Sequence, residues 1–277
     1  MKTPLALLGA FLLLSFNAAR AAEGSSAPEI VHFRSQGLDL AGELFKPKGD
    51  GPFPSVLYNH GSAPGMLNSQ ASASIGPLFA AKGWIFFMPY RRGQGLSANA
   101  GPYIGDEIAQ ARKRGGLPAA AATMVRLLDT DHLQDQLAAL QWLQSQTFVQ
   151  KSRIAVAGNS FGGVQAVLGA ARAQYCAAVD ASGGAESWND APALQALMKT
   201  AVQTSSAPIL FFQAENDYDL APSKTLFAAM KAAGKDAELK IYPPYGLSDR
   251  DGHSFAYKGS AVWFDDVFAF VQRKCTR

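Results

Sequence analysis

From Pro54 to the end of the chain, short apolar runs alternate with longer stretches of helical character, and this alternation constrains the fold more than any other feature. It is the pattern of a parallel sheet whose strands are joined by crossover helices. The runs PSVLYN, WIFFMPY, RIAVAG, CAAVDAS, PILFFQA and AELKIYP are nearly continuous in apolar residues, as strands buried on both faces must be. Ahead of them, EIVHFRS and LDLAGELFKP flank Gln36-Gly37 and alternate enough to predict an antiparallel hairpin at the sheet edge. Eight strands are therefore expected. Helices are predicted over 69–82, 130–146, 161–173, 191–203, 222–233 and 260–274, with Gly83 and Gly234 placed to stop the first and the fifth.

One segment breaks the rhythm. Residues 91–129, between the fourth strand and the next long helix, exceed an ordinary strand-to-helix connection by far. The reading is a lid-like insertion over about 96–129, with one short helix near 106–113, lying over the carboxyl ends of the strands. Within it Tyr103, Ile104, Met124 and Leu127 either wall a substrate pocket or bury the insertion against the sheet.

The N-terminus is of a different kind. Lys2 is followed by an apolar run from Pro4 to Phe16 and a small-x-small site at Ala19-Arg20-Ala21. Residues 1–21 thus read as a secretory signal peptide, which places the protein in the periplasm or outside the cell. The run is shorter than the roughly 20 residues that cross a bilayer, so no stable membrane anchor is expected. Residues 22–277 then form one domain. Removing Lys2 and Arg20 takes the formal charge from +3 to +1, which leaves no basic excess to attract a nucleic acid.

RIAVAG runs through Asn159-Ser160-Phe161-Gly162-Gly163 into the apolar stretch VQAVLGAARA. This is G-x-S-x-G at a strand-to-helix junction, the setting in which a serine is held on a sharp turn with its hydroxyl exposed. A carboxylate and a histidine follow in the chain order that such a serine requires. His253 is the only histidine beyond the turn, which makes it the candidate base. Glu215, Asp217 and Asp219 compete to orient it; Asp217 is preferred, because Asp219 is placed to cap the following helix. Asp180, at the end of the sixth strand, is an outside alternative. Two N–H groups must face the developing oxyanion. That of Phe161, next to the serine, is one, and that of Ser62, after His60-Gly61, is the other candidate. His60 itself reads as a structural histidine. In YRRGQGLS, Arg91 or Arg92 either binds a substrate carboxylate or shapes and anchors the insertion.

Taken together, HGS, YRRGQG, GNSFGG, END and DGHSF, in that order and spacing, resemble the α/β-hydrolase superfamily, and within it the dienelactone-hydrolase and prolyl-oligopeptidase-like branch. The resemblance spans about residues 30–274. It implies the α/β-hydrolase fold, a mostly parallel eight-stranded sheet with helices on both faces, a serine triad, and no cofactor or metal. Two departures matter: dienelactone hydrolases proper use a cysteine where this chain has Ser160, and there is no room for the β-propeller of prolyl oligopeptidases. In this architecture Cys176 and Cys275 either pair in a disulfide or stay as two buried thiols. The expected activity is hydrolysis of a small-molecule carboxylic ester through an acyl-enzyme. Cleavage of short peptides by the same machinery is the runner-up, and a non-catalytic binding member of the fold is the third reading. Oligomeric state is left open.

Overall fold

Gln36 and Gly37 both take positive φ, 47° and 86°, as a two-residue hairpin turn requires. β1 (Glu29–Ser35) therefore folds back on β2 (Leu38–Phe45), at the edge of an eight-stranded sheet of order β1-β2-β4-β3-β5-β6-β7-β8. β1, β2 and β4 (Ile85–Pro89) pair antiparallel. From β4 through β3 (Phe53–Asn59), β5 (Val149–Asn159), β6 (Ala178–Ala181), β7 (Ile209–Ala214) and β8 (Ala237–Tyr242) every pairing is parallel. The computed structural model describes residues 27–63 and 70–276, so the segment expected as a signal peptide lies outside the described residues. No described helix is long and apolar enough to cross a membrane.

Neighbouring residues on a strand point to opposite faces, so a strand covered on both sides must be apolar at consecutive positions. Val56 and Leu57 of β3 are both fully buried, each in a different core. Leu57 joins the layer formed by α2 (Ile104–Asp129), α3 (Asp131–Ser145), α4 (Phe161–Arg172), α5 (Pro192–Thr204) and α6 (Ala221–Ala232). Val56 joins the layer of α1 (Gln70–Ala81), α7 (Asp249–Lys258) and α8 (Ser260–Lys274). In that second core Phe79 stacks on Phe86 and meets Phe264 edge-on at 5.1 Å, which ties α1 and α8 to the sheet.

The segment after β4 differs from the expected loop. A short 3-10 turn at Gly95–Ser97 is followed by 26 residues of helix, broken only where Gly115 and Gly116 leave helical geometry. Gly116 takes φ 70°, and Pro118 then opens the second half, where a missing N–H does no harm. Ile104, Met124 and Leu127 are core residues against α3, α4 and α5, not walls of a pocket. The helix between 106 and 113 is real but is only the first part of this longer arm.

Cys176 and Cys275 form a disulfide that closes a loop of sequence separation 99. It joins the residue before the amino end of β6 to the end of α8, where the Arg153 Nε also donates to the Cys275 carbonyl at 2.5 Å. Cross-linking so long a loop removes much of the unfolded chain's freedom, a stabilisation of about 4 kcal/mol. The double variant Cys176→Ala/Cys275→Ala is expected to melt about 10 °C lower, measured by thermal unfolding against the oxidised parent.

Candidate active site

Ser160 stands between β5 and α4 with φ 55° and ψ −124°, a backbone that a non-glycine residue holds only when its surroundings impose it. Those surroundings are identifiable. The Ser160 N–H donates to the Ala181 carbonyl of β6 at 2.9 Å, and the Ser160 carbonyl accepts from Val164 N–H at 3.1 Å. A Cβ at Gly158 would collide with the Gly162 carbonyl, and one at Gly162 with the carbonyls of Asn59 and His60. The two glycines of the motif therefore let the turn close against the end of β3. Ser160 also stands at the amino end of α4, where free N–H groups and the helix dipole favour negative charge.

The strip after β3 lies beside this serine. Gly61 N–H donates to Asn159 Oδ1 at 3.1 Å, and the open side of Gly61 faces the Ser160 Cβ. Tyr58 OH holds the same Asn159 oxygen at 3.0 Å. Next in the chain, Ser62 accepts from Gln94 Nε2 through its hydroxyl at 3.1 Å. Among the described residues no hydrogen bond is formed by the backbone N–H of Ser62 or of Phe161. Both expected oxyanion donors are thus unengaged, one on each side of the turn.

His60 is fully buried and takes no part as a base. Its Nε2 accepts from Arg91 N–H at 3.2 Å, which fixes the proton on Nδ1, facing the Gly61 carbonyl at 2.5 Å. Burial first, then the Arg91 charge, holds its pKa well below the ordinary 6.5, so the ring is neutral. Arg91 requires a correction. Arg91 is only 3% exposed and its guanidinium donates to the carbonyls of His60 at 2.7 Å and Gly61 at 2.9 Å, so it braces the His60-Gly61 strip and is closed to a substrate carboxylate. Burial pushes its pKa down to about 10, which still leaves it charged at neutral pH. Arg92 anchors the insertion instead: Nε and NH2 donate to both oxygens of Asp135 on α3, at 2.9 and 2.7 Å. Tyr103, the other expected substrate contact, is half-buried, with its ring over Gly105 and against the core beside Arg91.

The carboxyl ends of β7 and β8 supply the rest. His253 Nδ1 lies 2.8 Å from Asp217 Oδ1. Glu215 is exposed, and Asp219, one residue before the N-cap Leu220 and not the N-cap expected of it, accepts from Ala221 N–H at 2.7 Å and is engaged at the start of α6. Asp217 Oδ1 also accepts from Tyr218 N–H at 2.8 Å, Oδ2 accepts from Gln213 Nε2 at 2.8 Å, and Ser182 stands close enough to favour the charged carboxylate. Burial would push this carboxyl up; the His253 bond and charge, with the help of Ser182 and Gln213, outweigh it and hold the pKa below the usual 3.8. For His253 burial acts downward, and the Asp217 bond and charge, aided by Glu186, hold the imidazole above 6.5. Nε2 is buried and has no hydrogen-bond partner among the described residues.

His253 sits on α7, a helix that is not among those predicted from the sequence. Ser248 caps it by accepting from Asp251 N–H at 3.1 Å, and Asp251 Oδ2 accepts in return from Ser248 N–H at 3.1 Å. That S-x-x-D box is legible in the sequence and marks the start. Asn216 ties the approach to the acid: its Nδ2 donates to the carbonyls of Tyr245 and Ser248, and its Oδ1 accepts from Tyr245 N–H. Asp180, by contrast, is wholly buried at the end of β6, where Oδ1 accepts from Gly183 N–H at 2.8 Å, away from His253. Burial, partly offset by that N–H, pushes it up to about 7.

Comparisons with known proteins agree with the fold. The profile of the dienelactone hydrolase family matches residues 40–269. No curated protein matches the sequence. Among solved structures, the acylaminoacyl peptidase of Pyrococcus horikoshii superposes with TM-score 0.66 at 19% identity, over 90% of this chain and 42% of its own. A Pyrococcus furiosus esterase gives 0.65 at 14% identity, over 98% of this chain and 99% of its own. A puromycin-hydrolyzing peptidase of Mycobacterium tuberculosis gives 0.65 at 18%, over 90% and 40%. The chain therefore spans about two fifths of the two peptidases and the whole of the esterase.

Proposed function

The chain belongs to the dienelactone hydrolase family, and from that premise we propose that it is a serine hydrolase that cleaves a carboxylic ester through an acyl-enzyme. One observation carries the reading: Asp217 holds Nδ1 of His253 while Nε2, on the far side of the ring, is left without a partner. In the proposed reaction Nε2 takes the proton of Ser160 as Oγ attacks the carbonyl carbon. The tetrahedral oxyanion meets the N–H groups of Ser62 and Phe161. Its collapse breaks the bond to the alcohol, which leaves with the proton held on Nε2, and water then repeats the cycle on the acyl-enzyme. Asp217 stabilises the imidazolium throughout and stays ionised.

The relatives of matching fold include an esterase and peptidases, so the same constellation supports cleavage of an amide as the second reading. An aryl ester and the matched aminoacyl anilide separate the two. The ester is expected to be turned over with much the higher kcat/KM; equal or better turnover of the anilide would make the protein a peptidase. We also propose that residues 1–21 are removed on export. The Cys176–Cys275 disulfide supports an oxidising compartment. The intact mass of the exported chain, expected to begin at Ala22, is the check.

A further inference from the structure

The end of β6 and the tail that follows it lie against all three residues of the proposed triad. Ala181 accepts the Ser160 N–H at 2.9 Å, Ser182 stands by the Asp217 carboxylate, and Glu186 Oε2 lies 3.9 Å from Nε2 of His253. The first two contacts position groups already assigned. The third is of another kind, because Nε2 is the atom that must exchange a proton with the nucleophile and the leaving group.

Glu186 has no structural employment. Its side chain is 51% exposed, and among the described residues it accepts no hydrogen bond and has no lysine or arginine within 4 Å. His253, Asp217 and Glu186 thus place two carboxylates around one imidazole, although one is enough to orient it. A carboxylate here favours the imidazolium that forms on Nε2, and, being half exposed, it is also open to a positive charge on the substrate. Beside it stands Tyr218, 39% exposed, its ring centroid 5.2 Å from that of His253, and its hydroxyl within the field of Glu186. A part-exposed aromatic ring next to a carboxylate that no lysine or arginine neutralises is a chemistry that receives cations.

We infer that Glu186, with the Tyr218 ring, makes this site selective for esters and amides that carry a positively charged group close to the scissile carbonyl. The inference rests on the serine-hydrolase reading given above. The cation is an ammonium or guanidinium group, which satisfies the carboxylate directly and offsets the charge developing on the carbonyl oxygen.

Two matched pairs test it. Nα-benzoyl-arginine ethyl ester against the citrulline analogue places the charge on the acyl side, and acetylthiocholine against 3,3-dimethylbutyl thioacetate places it on the leaving side. In at least one pair the charged member is expected to have a kcat/KM at least about fivefold higher, the scale of a single partly exposed charge pair. Glu186→Gln is expected to bring that ratio to near one, and Glu186→Lys to invert it. A role confined to holding His253 would change both members of a pair alike and leave the ratio in place. Ratios near one in both pairs for the parent enzyme, or a raised ratio that survives Glu186→Gln, would overturn the inference while the turnover of neutral esters kept the hydrolase reading intact. Failure to turn over any of the four would overturn the hydrolase reading, and this inference with it.

Discussion

Ser160→Ala is expected to abolish hydrolysis of an aryl ester, with kcat reduced about a millionfold, and to abolish labelling by a fluorophosphonate probe. The size of the effect follows from the position. Only the Oγ is deleted, and no other side chain can replace it at the start of α4, since the residues on either side are Asn159, which is committed to Tyr58 and Gly61, and Phe161. Alanine tolerates φ 55° no worse than serine does, so the folded state should survive, and an unchanged melting temperature would certify that the loss is chemical. Persistence of ester hydrolysis and of probe labelling in this variant would remove Ser160 from the mechanism.

Asp217→Asn is expected to lower kcat/KM by about 10⁴-fold while leaving the fold in place. The carboxylate's hydrogen-bond partners are all donors: His253 Nδ1–H, Tyr218 N–H and Gln213 Nε2. An asparagine amide offers one oxygen to this set of donors, and its NH2 can face the ring only if His253 changes tautomer. With the amide NH2 toward the ring, Nδ1 becomes the acceptor and the proton moves to Nε2, which then cannot take one from Ser160. The pH profile gives a second readout. The base works as the neutral imidazole, and its pKa is held above 6.5, so kcat/KM of the parent enzyme should rise with pH through an apparent pKa above that value. Without the Asp217 bond and charge, burial acts downward against only the more distant Glu186, and the residual activity of the variant should keep its plateau to lower pH. An acid limb that does not move would show that Asp217 is not the partner that sets it.

The sheet was the most legible part of this molecule, for a reason that particular strands make clear. β3, β4, β5, β6 and β7 are covered on both faces, so their positions had to be apolar in succession, and a run such as WIFFMPY admits little else. The helices α1, α3, α4, α5, α6 and α8 fall within one or two residues of expectation, because apolar spacing marks them and, in all but α3, a glycine or proline stands near an end. The two misreadings share a cause. In α2 the pair Gly115-Gly116 with Pro118 reads as a break, and it is one, but burial of Met124, Leu127 and Leu128 restarts the helix at once. In α7 the polar run DRDGHS is not predicted as helix, and the packing of Phe255 and Ala256 against β7 and β8 overrides it. Among candidate site residues, Ser160, Asp217 and His253 had local signals and a required order. Arg91 did not: nothing in YRRGQG distinguishes an arginine facing a cleft from one folded under it, and only the position of the His60 and Gly61 carbonyls decides. Glu186 was silent for the same reason, a lone acid in SGGAESW whose meaning depends on a helix that arrives from more than sixty residues away.

The bridge between Cys176 and Cys275 stands at the amino end of β6, whereas the proposed nucleophile, acid and base are supplied from the opposite rim of the sheet. The two ends are separated by a strand and share no side chain. A reducing agent should therefore shorten the working life of each molecule without slowing its turnover while it lasts. In a changing redox environment the protein would age faster yet, at any moment, catalyse at the same pace.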